Sequence, residues 1–154
     1  MSLKGASRMR SVHVMLVYTG GCNGCEIEVL DAVFSPYYDI EQYRVMLTCN
    51  PREADVLLVT GPVTKRTEAQ LRAIYERIPK PKAVVAVGAC AIVGGVYLNV
   101  FGELGPSDQI RGPLGNIMPV DENAKGCAPS PEEIIRAVAS VIPMIAGEGD
   151  GRKD

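Results

Sequence analysis

Two rhythms of apolar residues alternate along this chain. Short, nearly unbroken runs recur at 11–18 (SVHVMLVY), 44–48 (RVMLT), 55–60 (DVLLVT), 83–87 (AVVAV) and 117–120 (IMPV). Runs of this length, rich in β-branched residues, predict buried strands. Between them the spacing changes to threes and fours. Ile27, Leu30, Val33 and Phe34 share one face of a predicted helix within CNGCEIEVLDAVF, which Pro36 stops. Leu71, Ile74, Tyr75 and Ile78 line a second helix, with Thr67 and Gln70 as a capping box before it and Pro79 and Pro81 after it. Ile134, Ile135, Val138, Val141, Ile142 and Ile145 line a third, opened by Ser130, Pro131 and Glu133. Glycines punctuate the strand ends: Gly20-Gly21 after the first, Gly61-Pro62 after the third, Gly88 after the fourth. A loop rich in glycine and proline follows from about 98 to 116.

Strands that are apolar throughout and alternate with helices predict an α/β fold, a parallel sheet covered on both faces. The expected order is flavodoxin-like and doubly wound, a single domain over 11–146 with flexible segments at 1–10 and 147–154. Such folds bind ligands just beyond the carboxyl ends of their strands. The chain has 154 residues, 47% of them hydrophobic. A chain this long buries about two thirds of its unfolded surface, so it supports a core without staples. No apolar run approaches the length of a membrane span. The net charge of −2 leaves no broad basic excess for nucleic acid. The N-terminal MSLKGASRMR lacks the apolar core of a secretory signal, so the expectation is a cytosolic chain with reduced thiols.

Five cysteines then stand out. Cys22 follows the first strand, Cys25 lies one helical turn beyond it, Cys90 follows the fourth strand, and Cys127 follows the fifth. The fold therefore predicts all four at one sheet edge. Each has glycine beside it, at Gly21, Gly24, Gly88 and Gly126, where backbone can approach a bulky inorganic group closely. Four thiolates suit zinc or a [4Fe–4S] cluster. Only one pair is close in sequence, a spacing that favours a cluster over the paired knuckles of zinc ribbons. Inert buried cysteines remain open, as does a redox-active CxxC that leaves Cys90 and Cys127 unexplained. Cys49, at the end of the second strand, reads as a structural thiol. His13 lies mid-strand and reads as a core or edge histidine. No nucleotide-binding GxGxxG or P-loop pattern is present.

The segments GGCNGCE, NPREADVLLVTGPVT, VVAVGAC and GCAPSPEEI, in this order, resemble the family of [NiFe] hydrogenase small subunits and the 20-kDa subunit of respiratory complex I. The resemblance covers residues 12–142. The CxxC of Cys22 and Cys25 is the hydrogenase form, and the short chain is most similar to small subunits of membrane-bound, energy-converting (group 4) enzymes. Two features depart from the family: the segment between Cys90 and Cys127 is long, and Lys125 stands where proline is commoner. The resemblance implies that Cys22, Cys25, Cys90 and Cys127 ligate one [4Fe–4S] cluster, proximal to an active site in a partner. It implies no catalytic residue here. Gly21, Gly24, Glu26, Arg52, Gly88 and Gly126 would surround the cluster, with Lys65 and Arg66 as lesser candidates. The implied partners are a [NiFe]-type large subunit, a ferredoxin-like iron–sulfur subunit and antiporter-like membrane subunits. The implied location is peripheral, on the cytoplasmic side of the cell membrane. A complex I-like quinone or sulfur reductase without hydrogen chemistry is the alternative, and a zinc-stabilised binding module a third reading.

Overall fold

Continuous apolar segments become parallel strands because both faces of each must be covered. The computed structural model describes residues 11–99 and 108–147. The expected flexible ends, at 1–10 and beyond 147, lie outside those residues. The main sheet holds β1 (Val12–Tyr18), β2 (Val45–Leu47), β3 (Val56–Thr60), β5 (Ala83–Val87) and β7 (Glu122–Ala124). Its order is β2-β1-β3-β5-β7, all parallel, which is the predicted flavodoxin-like winding. A two-stranded antiparallel sheet pairs β4 (Val63–Thr64) with β6 (Ile110–Gly112). The helices are α1 (Gly24–Phe34), α2 (Glu68–Arg77), α3 (Gly88–Val93), α4 (Gly95–Asn99) and α5 (Pro131–Gly147).

The central strands β3 and β5 are buried along their whole length, and their side chains alternate between two cores. Val56, Leu58, Val85 and Val87 pack with Val29 of α1 and with Ile134, Val138, Val141 and Ile145 of α5. Leu57, Val59, Val84 and Ala86 pack with Leu71 and Ile78 on the opposite face, beside α2. The predicted stripes of α2 and α5 are thus the buried ones.

Five expectations change. The last strand is not IMPV (117–120) but Glu122–Ala124. Pro119 has no N–H to give a ladder, and Met118 is buried beside Leu114, which opens a 3₁₀ turn at Leu114–Asn116. Asp121 sets the register instead: Val84 N–H donates to its carboxylate at 2.8 Å, and its own N–H donates to Val84 O at 2.8 Å. The loop expected over 98–116, of which 100–107 lie outside the described residues, carries the end of α4, β6 and that 3₁₀ turn, and α3 precedes it. Thr67 makes no side-chain cap to α2. Its hydroxyl is engaged by Thr64 and Thr19 instead.

The fourth change concerns α1. Its buried face is Val29 and Ala32, flanked by Cys25 and Val33. Three of the four predicted stripe residues point the other way: Ile27 is 64% exposed, Leu30 39% and Phe34 68%, against 1% for Val29, and only Val33 joins the core. Both faces of this helix are apolar, so periodicity alone chose the wrong one. At α5 the Ser130 hydroxyl accepts from Glu133 N–H at 3.4 Å, as the N-terminal signature requires. The Glu133 carboxylate pairs with Arg136 rather than closing a box.

Candidate functional site

Three loops at the carboxyl edge of the main sheet, after β1, β5 and β7, bring the cysteines together. Gly20 and Gly21 leave β1 with φ of +144° and +147°. They turn the chain so that Cys22 is exposed and Cys25 lies half-buried in the first turn of α1. Gly88 leaves β5 at φ +83° and starts α3, on which Cys90 is half-buried. Gly126 precedes Cys127, which is exposed, and the Cys127–Ala128 peptide is cis. Gly126 O accepts from Ala89 N–H at 2.8 Å, tying the Cys90 loop to the Cys127 loop.

Two thiols rest against glycines. A Cβ at Gly88 would stand 2.4 Å from Cys25 Sγ, and a Cβ at Gly95 would stand 2.6 Å from Cys90 Sγ. No larger residue leaves room for either sulfur. Gly24 is looser, its Cβ position 3.5 Å from Cys22 Sγ. A shallow hollow is lined by Gly20, Gly21, Cys22, Cys25, Gly61 and Cys90.

Cys25 and Cys90 each feel the other cysteines around them. Burial first, then the charges of Glu26, Cys90, Cys22 and Cys127, push the Cys25 thiol up to about 12. The Cys90 thiol is raised by burial, then by Cys127, Cys22 and Glu26. The site therefore keeps protons on Cys25 and Cys90 unless a positive group is present, and the thiolate is the form that binds metal. Cys49 is exposed on the loop after β2 and is not among the charges acting on either thiol. Nor is Arg52, which is exposed in the turn that follows; its N–H donates to Asn50 Oδ1 at 3.1 Å. Lys65 is engaged elsewhere, 3.1 Å from Asp108, and Arg66 is exposed. His13 lies 3.8 Å from the buried Asp55 carboxylate, within the sheet.

Among the described residues, no three His, Cys, Asp or Glu side chains converge closely enough to hold a single metal ion. A lone zinc needs its sulfurs at about 2.3 Å from one centre. Both a lone metal and an iron–sulfur group take thiolate ligands. The donor set, all sulfur with glycine-made room, fits that group.

Sequence reasoning missed the scaffold behind the thiols. Thr19 is buried, and its one hydroxyl proton faces Thr60 O, Gly61 O and Pro62 O at 2.8, 3.0 and 3.2 Å. Thr67 Oγ1 donates to Thr19 O at 2.9 Å and meets Thr64 Oγ1 at 2.8 Å. Gly61 passes so close to Gly20 that a Cβ there would lie 1.3 Å from Gly20 O. Together these lock the CxxC loop onto the loop after β3. The repeated threonines beside glycines were the available signal. Tyr97 on α4 was missed too; its hydroxyl pKa is raised by burial, then by the charges of Cys22 and Cys90.

Comparison with known proteins follows the same line. Residues 22–141 match the family described as "NADH ubiquinone oxidoreductase, 20 Kd subunit". An uncharacterized protein of Methanocaldococcus jannaschii is 60% identical, covering 93% of this chain and 95% of the relative. The "Probable membrane-bound hydrogenase subunit mbhJ" of Pyrococcus furiosus is 42% identical, covering 89% of this chain and 77% of the relative. Among solved structures, a chain of the membrane-bound sulfane sulfur reductase, an archaeal respiratory membrane complex, superposes with a TM-score of 0.75 at 31% identity, covering 97% of this chain and 78% of that one.

Proposed function

Because the chain belongs to the family of the 20-kDa subunit of NADH–ubiquinone oxidoreductase, we propose that it is the electron-relay subunit of a membrane-bound oxidoreductase complex, with Cys22, Cys25, Cys90 and Cys127 holding one [4Fe–4S] cluster. The observation that carries this reading is that three loops distant in sequence bring four free thiols to one sheet edge, where the charges of the other cysteines act on Cys25 and Cys90. Such a cluster takes up and releases single electrons. The residues of this chain bind and position it. Gly88 and Gly95 leave space for two sulfurs, and the Thr19 network fixes the loop that carries the other pair member. Gly21, Gly24, Gly126, Glu26 and Arg52 are the remaining candidates around it. No residue here performs catalysis; bond making and breaking belong to a partner.

The relative named as a membrane-bound hydrogenase subunit supports a hydrogenase complex; in this reading the partner is a [NiFe]-type large subunit, a ferredoxin-like subunit is the next electron carrier, and antiporter-like subunits lie in the membrane. The sulfane sulfur reductase chain supports a second reading, the same relay serving a complex without hydrogen chemistry. The partner's sequence separates them: two CxxC pairs for nickel favour hydrogenase, and their absence favours the second. Among the described residues no helix is long and apolar enough to cross a membrane. A peripheral position on the cytoplasmic side follows from docking to such partners.

The test is anaerobic purification of the chain with its complex. The relay reading expects about four iron atoms per chain and a brown, reducible chromophore. Cys90→Ser loses the iron, and Cys49→Ser keeps it. A colourless protein with one zinc, or full iron in the Cys90→Ser variant, overturns the ligand set.

A further inference from the structure

Helix α1 is apolar on two opposite faces, and the described residues cover only one. Val29, Ala32 and Val33 serve the core. On the other side Ile27, Leu30 and Phe34 fall within a narrow arc, at spacings of three and seven residues. Leu30 is 39% exposed, and Tyr37 in the following turn is 82% exposed. A helix apolar all round belongs in an interior, so the outer stripe marks a contact that this chain alone does not complete.

The charges around the stripe select its occupant. Residues 14–43 contain Glu26, Glu28, Asp31, Asp39 and Glu41 and no lysine, arginine or histidine; the first basic residue after them is Arg44. The rest of the chain carries a small basic excess, so the acidity is local to the segment that carries the stripe. Asp31, Asp39 and Glu41 are exposed. An anionic membrane surface attracts basic segments and repels a face like this one. A second copy docking through the same stripe would set Asp31 and Glu28 against like charges. An apolar surface bordered by lysine or arginine meets neither objection. We propose that the outer face of α1, formed by Ile27, Leu30, Phe34 and Tyr37, docks a different polypeptide whose apolar surface is rimmed by basic side chains.

This inference stands apart from what the thiols hold, and its test keeps the two separate. The chain is purified within its native assembly, carrying photoreactive p-benzoylphenylalanine in place of Phe34. The expected cross-link is to another polypeptide, at a segment whose apolar residues are flanked by lysine or arginine. A cross-link to lipid, to a second copy or to an acidic segment overturns the proposal, as does the absence of any cross-link. In parallel, the double variant Ile27→Asp, Phe34→Asp is expected to lower the cross-linked polypeptide retained per chain about tenfold or more. Iron per chain stays unchanged in it. Unchanged retention in that variant refutes the docking face, and if the variant does not fold, the cross-link decides. Asp31→Lys is expected to weaken retention more at low salt than at high salt; equal effects at both overturn the basic rim.

Discussion

Replacing Gly88 by alanine sets a methyl 2.4 Å from Cys25 Sγ. Non-bonded heavy atoms need about 3.5 Å or more, so the sulfur or the backbone must yield by about 1 Å. Retreat is restricted, because Gly126 O and Pro129 Cδ lie 3.5 and 3.6 Å from the same methyl position. The backbone adds to the cost: φ at Gly88 is +83°, where an L side chain is penalised by about 1–2 kcal/mol. With overpacking included, Gly88→Ala is expected to destabilise the chain by about 2–4 kcal/mol. If Cys25 holds the proposed cluster, a thiol displaced by about 1 Å also exceeds the tolerance of a preorganised site, roughly 0.5 Å, and iron content is expected to fall as well. Two measurements test this: denaturant unfolding of the chain, and iron per chain in the complex purified without oxygen. Gly115→Ala is the control, since a Cβ there meets nothing within 4 Å. A Gly88→Ala protein with full iron and stability within about 0.5 kcal/mol of the parent would refute the thiol seat.

Thr19→Val keeps the shape of a buried side chain but removes the proton shared by Thr60 O, Gly61 O and Pro62 O, and about 1–3 kcal/mol should be lost in thermal unfolding. Thr19→Ser should recover most of it; an equal loss in both variants would exclude the hydrogen bonds as the cause. Val29→Ala should cost about 2 kcal/mol, whereas Ile27→Ser should stay within about 0.5 kcal/mol in the isolated chain, and the reverse order would mean that α1 packs by its other face. The metal-free chain should lose stability in alkali. The folded Cys25 thiol ionises at about 12 rather than 9.0, so the neutral thiol's contribution is complete below pH 9 and fades as pH rises toward 12. A metal-free Cys25→Ser variant with the same alkaline decline would disprove that assignment.

The amino-acid sequence by itself determined the strand and helix order, the parallel sheet and the edge at which four cysteines lie. Its signals there were local and redundant. Fully buried strands such as β3 and β5 must be apolar at every position, and turns after them must contain glycine. Cys22, Cys25, Cys90 and Cys127 could be placed at strand ends without knowing any distance. What the tertiary structure decided was a set of choices between near-equal local options. IMPV reads as a strand, yet Asp121 hands the ladder to Glu122–Ala124 through its two bonds with Val84. Thr67 has the makings of a cap, yet Thr19 O and Thr64 compete for its hydroxyl and win. Helix α1 offers two apolar faces, and only the shape of the sheet beneath it selects Val29 and Ala32 over Ile27 and Phe34. Periodicity measures how apolar a face is; which face is buried depends on what the rest of the fold presents to it.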